Sequence, residues 1–216
     1  MIKINEIFES IQGEGRFTGE PCLFIRVSKC TRQCSFCDTQ YHNTVNQELT
    51  MEQMNKIIKK SNKYLVVITG GEPLLYAEDF IKIIASNPKR CFSFETNGDL
   101  LKPELYERLS KYRNVHFSCS PKDMKSYRRI MLLATIKRFR QIIFGGILNI
   151  DIKIVTDLKM NKGMIKGADY LMPLTTFNKA KDTKIKQDVW NYCIKNNKNY
   201  SERVHIDVWG YKQRGI

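Results

Sequence analysis

Short apolar runs alternate with amphipathic segments along most of this chain. The runs are rich in β-branched and aromatic residues, which is typical of strands, and they cover 21–27, 64–69, 91–95, 115–119, 152–155, 168–173 and 203–209. Between them, apolar residues recur at helix spacing and predict helices over 49–61, 77–86, 102–112 and 184–196. The stretch 122–149 contains a basic amphipathic segment and is otherwise left unassigned.

Two of the predicted helices carry clear start signals. Thr50 and Gln53 form a capping-box pair, and Pro103 stands in the first turn of its helix. Strands that are apolar on both faces and alternate with helices indicate βα units in a parallel sheet. A full eightfold barrel needs about 250 residues, so the chain has room for six or seven units. We therefore expect one α/β domain, 1–216, folded as a shortened, incomplete (β/α)6-type TIM barrel.

The amino-acid composition and the N-terminal segment limit the classes of protein to which this chain can belong. The 216 residues are 42% hydrophobic, which is typical of a globular protein with one substantial core. No apolar run approaches the ~20 residues of a membrane span. Charges at Lys3, Glu6 and Glu9 interrupt the N-terminal segment, where a signal peptide would be apolar. We therefore expect a cytoplasmic protein with no membrane partner.

The net charge of +14 would attract polyanions. Lysine and asparagine are nevertheless spread along the whole chain. The densest basic run, 125–140, lacks the glycine-rich or aromatic pattern of a nucleic-acid module. Nucleic-acid binding is therefore not the function that we expect, although a basic RNA-binding protein stays an alternative.

Four unusual sequences each follow a predicted strand. They are the cysteine loop at 30–42, "TGGEP" at 69–73, "ETNG" at 95–98 and "SPK" at 120–122. Parallel α/β folds build their active sites at the carboxyl ends of strands, and these ends meet on one rim. We therefore expect the four sequences to form one pocket.

The cysteine loop predicts a metal centre. Cys30, Cys34 and Cys37 are spaced C-x3-C-x2-C, and in a reducing compartment clustered cysteines indicate metal ligands. His42 could complete a structural Cys3His zinc site. Alternatively, three thiolates could hold a four-iron, four-sulfur cluster with one iron open to a ligand. The scattered cysteines are expected to be small core residues: Cys22, Cys91, Cys119 and Cys193.

The loop "CTRQCSFC", with an aromatic residue before its last cysteine, resembles the cluster loop of the radical S-adenosylmethionine (SAM) superfamily. The resemblance implies a 4Fe-4S cluster on Cys30, Cys34 and Cys37, with SAM bound to the open iron. It extends to "GGEP", "ETNG" and "SPK" and implies a radical SAM type of partial barrel. The residues that it implies for SAM binding are Phe36, Asp38, Gly70, Gly71, Glu72, Glu95, Asn97, Ser120, Pro121, Lys122 and Met172.

The N-terminal stretch at 7–30, "IFESIQGEGRFTGEPCLFIRVSKC", resembles the opening of the 7-carboxy-7-deazaguanine synthase family. That family contracts the ring of 6-carboxy-tetrahydropterin with loss of ammonia, in the pathway to queuosine-type bases. "CDT" implies Thr39 as a ligand of Mg²⁺, a cation that prefers oxygen donors. The residues implied for substrate binding are Ile11, Gln12, Gly13, Glu14, Arg26, Thr69 and His205.

The same resemblance implies that the cofactors supply the radical, so no catalytic side chain is expected. It further implies a flavodoxin-type electron donor and a homodimer. Arg203 stands where a glutamine often precedes the family's terminal histidine by two residues, and 123–149 matches nothing in the family. Two other functions stay open at this point. One is a radical SAM activase that makes a glycyl radical on a partner protein, and the other is a zinc-stabilised basic RNA-binding protein.

Overall fold

A nine-stranded mixed sheet organises the part of the chain that the computed structural model describes, which is residues 1–35, 37, 39, 41–144 and 149–211. Its spatial order is β3-β1-β2-β4-β5-β6-β7-β8-β9. The strands are β1 (Ile2–Ile11), β2 (Pro21–Val27), β3 (Gln47–Leu49), β4 (Leu65–Gly70), β5 (Cys91–Thr96), β6 (Val115–Cys119), β7 (Ile150–Thr156), β8 (Tyr170–Pro173) and β9 (Asn199–Tyr200).

Helices connect most of the parallel strands. They are α1 (Met51–Lys60), α2 (Ala77–Ala85), α3 (Pro103–Ser110), α4 (Met124–Phe144), α5 (Lys162–Ile165), α6 (Lys179–Asn196) and α7 (Val204–Trp209), with 3-10 turns at Gly15–Phe17 and Pro73–Tyr76. The predicted capping box of α1 is confirmed in both directions between Thr50 and Gln53, and Pro103 does open α3. None of the described helices is long and apolar enough to cross a membrane.

The sheet is parallel from β2 through β4, β5, β6, β7 and β8 to β9, and β1 runs antiparallel to both β2 and β3. In the described residues β3 and β9 lie at opposite ends of the strand order. The sheet is therefore open, and the predicted incomplete α/β barrel is confirmed.

Alternate residues of each strand face the helices or the inside of the curved sheet. The helix-facing set packs into the main core with α-helical side chains such as Phe80 and Ile83. Strand residues of that core include Ile25, Ile68, Phe94, Phe117 and Ile152. On the inner face, a smaller apolar cluster joins Cys22, Leu65 and Val67 to the aromatic ring of Phe17. Above it the inner face becomes polar, and this is where the site lies.

The predicted strand at 203–209 is wrong, because Val204–Trp209 is helix α7. The edge of the sheet is already provided by β9. The amide of Val204 donates to the carbonyl of Gly13 at 3.2 Å, which turns the chain towards the inner face instead of along the edge. Gly210 ends the helix at φ 81°, with its amide bound to Ile206 O at 2.8 Å.

Further described elements that were not predicted from the sequence include β1, β3, α4, α5 and β9. Strands β1 and β3 lie outside the βα pattern and extend the sheet by antiparallel pairing. The unassigned stretch forms α4, in which apolar Leu132 and Phe139 are 60% and 65% exposed. Because apolar residues also stand on the exposed face of α4, its sequence lacks the one-sided apolar pattern that predicts a helix. Helix α6 begins five residues before the predicted start because Asn178 caps Lys181 N at 3.1 Å.

Candidate functional site

All four sequence motifs border one pocket at the carboxyl ends of the parallel strands. The cysteine loop, Thr69–Gly71, Glu95–Asn97 and Ser120 with Lys122 lie on its rim, as predicted. Most of the predicted site residues line it, namely Ile11, Gln12, Glu14, Arg26, Cys30, Cys34, Cys37, Thr39, Thr69, Gly70, Gly71, Glu95, Asn97, Ser120, Lys122, Met172 and His205. The predicted residues Phe36 and Asp38 lie outside the described residues.

Three predicted residues are near the pocket without lining it. Pro121 is buried beside Ser120, and Glu72 is fully buried behind the rim. Gly13 lies under α7, where a Cβ atom would come within 2.7 Å of His205 Nδ1. These residues shape the backbone around the pocket instead of presenting a side chain to a ligand.

The glycines of "TGGEP" let two backbone segments touch. A Cβ atom on Gly71 would lie 1.8 Å from Lys29 O and 2.8 Å from Cys30 N, and Gly70 has φ 118°. The amide of Gly71 donates to Val27 O at 3.1 Å, and that of Glu72 donates to Lys29 O at 2.8 Å. The motif therefore clamps the start of the cysteine loop.

Glu72 fixes the two rim segments to each other. Its carboxylate accepts hydrogen bonds from Thr96 Oγ1 at 2.6 Å, Asn97 N at 2.9 Å and Leu74 N at 3.0 Å. Burial raises the pKa of Glu72 to about 6, although these hydrogen bonds oppose the shift. Asn97 in turn lies with its Nδ2 3.8 Å from the sulfur of Cys30 and 3.0 Å from Thr31 Oγ1.

The donor set of the cysteine loop fits a cluster held by three thiolates. Cys30, Cys34 and Cys37 form no disulfide and line the same pocket, and burial raises the pKa of the Cys30 thiol. Among the described residues no three His, Cys, Asp or Glu side chains are placed to hold a single metal ion. In a four-iron cluster different thiolates bind different irons, and a nearby amide N–H such as that of Asn97 tunes the sulfur.

His42 was the candidate fourth ligand of a zinc site. It is buried against the loop, and its Nδ1 lies 2.7 Å from Thr39 O. Its Nε2 has no hydrogen-bond partner among the described residues.

Of the scattered cysteines, Cys22, Cys119 and Cys193 are buried in the core, as expected, and Cys91 is half-buried.

Arg26 projects from β2 into the pocket beside the cysteine loop. Its Nε donates to Glu6 Oε1 at 2.6 Å, and its Nη1 donates to Thr39 Oγ1 at 3.2 Å. The guanidinium carbon lies 5.9 Å from the ring centres of Phe8 and Tyr41. These contacts hold the arginine in one orientation and place the hydroxyl of Thr39, which is 9% exposed, at the same wall.

Lys153 is the main site residue that the sequence did not reveal. It lies on the inner face of β7, is 3% exposed, and donates to Glu14 Oε2 at 2.5 Å and Glu95 Oε2 at 2.9 Å. Burial lowers the pKa of Lys153, but the two carboxylates outweigh it and raise that pKa above its ordinary value. The only available signal was a lysine inside the apolar run "IKIV".

Glu14 has cations on two sides. Its Oε1 lies 3.4 Å from Arg203 Nε, opposite the contact with Lys153. Burial would raise the pKa of Glu14, but the charges of Lys153 and Arg203 outweigh burial and hold the pKa well below its ordinary value. Arg203 is buried and also donates from Nη1 to Thr175 Oγ1 at 2.6 Å. The arginine that departs from the family pattern is thus built into the pocket wall.

Aromatic and aliphatic side chains complete the pocket. Phe8 and Phe24 stack with ring centres 4.9 Å apart. Further lining residues not predicted from sequence are Phe8, Phe24, Arg32, Tyr41, Thr96, Lys153, Val155, Phe177, Arg203, Ile206, Gly210 and Tyr211. Five of them stand on strands and the others in loops or at helix α7, so only the folded chain shows that they line one pocket.

Comparison with known proteins agrees with this architecture. The model of the radical SAM superfamily matches residues 24–144. The chain is 40% identical over 126 residues to a 7-carboxy-7-deazaguanine synthase of Bacteroides thetaiotaomicron, a match that covers 57% of this chain and 62% of that protein. It is 31% identical over 227 residues to a 7-carboxy-7-deazaguanine synthase of Buchnera aphidicola, covering 94% of this chain and 95% of the relative.

Solved structures extend the agreement to the whole fold. The crystal structure of QueE from Escherichia coli superposes with a TM-score of 0.60 at 19% identity and covers 93% of both chains. At that identity the match shows the fold alone. With the superfamily model covering more than half of the chain and the Buchnera relative nearly all of it, the chain belongs to the radical SAM superfamily and, within it, to the 7-carboxy-7-deazaguanine synthase family of enzymes.

Proposed function

We propose that this chain converts 6-carboxy-5,6,7,8-tetrahydropterin to 7-carboxy-7-deazaguanine with loss of ammonia, in 7-deazapurine biosynthesis. The observation that carries the proposal is that most of the residues implied for cofactor binding and most of those implied for substrate binding line the same pocket. The cysteine loop and the glycine motif line the same pocket as the charged side chains of Glu14, Arg26 and Lys153. Relatives named 7-carboxy-7-deazaguanine synthase support the choice of reaction.

The cofactors supply the hard chemistry, and the protein supplies binding and orientation. Cys30, Cys34 and Cys37 would hold the 4Fe-4S cluster, and SAM bound beside it supplies a carbon radical for abstraction of a hydrogen atom. Gly70, Gly71, Ser120 and the other rim residues would bind SAM. No side chain of the chain then needs to act as an acid or base in the first step.

The charged side chains of the pocket suit a carboxylate-bearing heterocycle. Arg26 can recognise a carboxylate, because its guanidinium is held in place by Glu6 and by the rings beside it. Glu14 and Glu95 present carboxylate oxygens that can accept hydrogen bonds from the amino and ring N–H groups of a pterin. Lys153 lies between them and pairs with both carboxylates in a buried site.

The apolar part of the wall would orient the ring and exclude water. Phe8, Phe24 and Val155 border the pocket together with the thioether of Met172. A flat bicyclic ring can pack against such surfaces, since stacking on aromatic faces is favourable. Exclusion of water from this space protects a reactive carbon radical from side reactions.

A magnesium ion would be held at Thr39. Its hydroxyl is a hard oxygen donor at the pocket wall, 3.2 Å from Arg26 Nη1. Mg²⁺ keeps several waters and binds readily through one protein oxygen plus oxygens of the substrate. The proposal also includes a homodimer and a flavodoxin-type reductant, both of which come from the family resemblance.

The test is anaerobic reconstitution of the protein with iron and sulfide. We expect a brown protein with about four irons per chain that cleaves SAM and forms the deazapurine, with more product when Mg²⁺ is added. Cys34→Ala should lose iron and product, whereas Cys193→Ala, a cysteine buried far along the chain in α6, should keep both. Cleavage of SAM without any conversion of the pterin, with or without Mg²⁺, would refute the proposal.

A further inference from the structure

The inner face of β7 carries two opposite charges at successive inward positions, Asp151 and Lys153. The segment 12–17, called the floor segment below, presents two opposite charges with the same spacing. Glu14 pairs with Lys153, as described above. Arg16 pairs with Asp151 through two parallel bonds, Nε to Oδ2 and Nη2 to Oδ1, both 2.7 Å long. Two ion pairs thus join the floor segment to β7. They are together called the ladder below, and each pair is one rung of it.

The pair of Arg16 and Asp151 lies outside the pocket, and further contacts hold the Asp151 carboxylate in place. Asp151 is 3% exposed, and its Oδ2 also receives His116 Nε2 at 3.0 Å. The other ring nitrogen of His116 lies 3.3 Å from Ser93 Oγ. The ring of Phe17 meets that of His116 edge-on, with centres 5.1 Å apart. Three adjacent strands, β5, β6 and β7, therefore hold the acceptor of this rung in place.

The order of charges makes the ladder specific for one register. Asp151 and Lys153 stand two residues apart on one face of β7, so a shift of the floor segment along β7 by that distance would change the partners. Glu14 would then face Asp151, or Arg16 would face Lys153, and each such pair of like charges in a buried place is unfavourable. Bidentate arginine and carboxylate pairs also restrict orientation as well as distance. The correct register alone satisfies all four groups.

We propose that Arg16 and Asp151 are positioning residues for substrate binding, which hold the floor segment in the register that places the Glu14 carboxylate in the pocket. The role rests on the proposed function, since Glu14 is taken to bind the pterin. Neither residue lines the pocket, so each acts through Glu14 and not by touching the ligand.

The first test replaces Arg16, whose side chain is 38% exposed and can be changed without leaving a large cavity. In Arg16→Met we expect KM for the pterin to rise about tenfold, with the dissociation constant of SAM unchanged. Less product should form for each SAM molecule that is cleaved, because the substrate is held less firmly. Arg16→Lys keeps the charge and loses the paired geometry, so it should recover part of the KM.

The second test reads the register directly by hydrogen–deuterium exchange of backbone amides in 12–19. Arg16→Met should exchange at least tenfold faster there than the wild type. The matched control is Arg108→Met, which breaks another bidentate pair, with Glu78 at 2.6 and 2.7 Å, on exposed helices away from the pocket. The control should change neither exchange in 12–19 nor KM.

Conversion of the pterin tests the proposed function, whereas KM and hydrogen–deuterium exchange in the variants test the positioning role. If the wild type converts no pterin, the proposed function fails, and faster exchange in Arg16→Met would still support the ladder. If exchange in 12–19 is the same in Arg16→Met and Arg108→Met, and KM for the pterin is also unchanged, the positioning role is overturned. A lower melting temperature with unchanged KM and exchange would show a merely structural pair and overturn it as well.

Discussion

Lys153 donates to Glu95 at 2.9 Å, and this contact joins β7 to the rim motif at 95–98. Glu95 belongs to the rim motif assigned to SAM, whereas the other partner of Lys153, Glu14, belongs to the floor segment assigned to substrate. The lysine is buried, and its charge is offset by the two carboxylates. One buried cation on β7 therefore pairs with a carboxylate of the rim and with a carboxylate of the floor segment.

Lys153→Met should strongly destabilise the protein. The substitution removes the cation between Glu14 and Glu95 and leaves two carboxylates in a buried site, and breaking a buried pair in this way costs about 3–5 kcal/mol. Urea denaturation of the apoprotein measures the loss. Lys184→Met is the matched control, because Lys184 forms an exposed i,i+4 pair with Asp188 and should cost no more than about 0.5 kcal/mol. Equal losses in the two variants would contradict the buried ion-pair arrangement.

The pH dependence of stability should show the titration of Glu72. Its pKa in the folded protein is about 6, above the ordinary 4.5, so the folded state favours the protonated form. The associated stability is therefore fully present below pH 4.5 and is lost as the pH rises through 6, by about 2 kcal/mol. The measurement is the difference in unfolding free energy between the wild type and Glu72→Gln, in which other titrating groups cancel. A difference that stays constant from pH 4.5 to 7 would contradict the shift.

Gly71→Ala should displace the cysteine loop. The new Cβ atom would lie 1.8 Å from Lys29 O, a contact with backbone that no rotation of a side chain can relieve. We expect the variant to lose most of its iron on reconstitution. Gly163→Ala serves as the control, since its Cβ atom would meet only Met124 Sδ at an ordinary 3.5 Å. Full iron content in Gly71→Ala would show that the close approach of the two backbones is not required.

Much of the fold and the rim of the site were predictable from the sequence. Buried parallel strands read as apolar runs, and the motifs that follow them meet on one rim because parallel strands share a direction. The cysteine spacing and the glycine motif are local patterns, and the structure brings them to the same place. Glu72 was expected as a SAM-binding residue, and its three hydrogen bonds within the rim became visible in the structure.

What could not be predicted depends on contacts between distant segments. Lys153 and Arg203 are separated by two helices and two short strands, and they converge on Glu14 only when the sheet curves. Segment 203–209 has the alternation of a strand, yet it forms a helix because β9 already ends the sheet and Gly13 binds its first amide. Local periodicity does not report which edge of a sheet is already occupied.

The most direct test of the central claim follows a single hydrogen atom. The reconstituted protein is incubated anaerobically with SAM, reductant and 6-carboxy-tetrahydropterin carrying deuterium at C6, and the products are analysed by mass spectrometry. The pterin and 7-carboxy-7-deazaguanine differ only by ammonia, so the hydrogen taken from C6 has to be returned by 5′-deoxyadenosine, with SAM formed again. The account therefore predicts 7-carboxy-7-deazaguanine together with deuterium in the recovered SAM, and neither in Cys34→Ala. Formation of 5′-deoxyadenosine without deuterium and without the deazapurine, in protein with a full complement of iron, would contradict it.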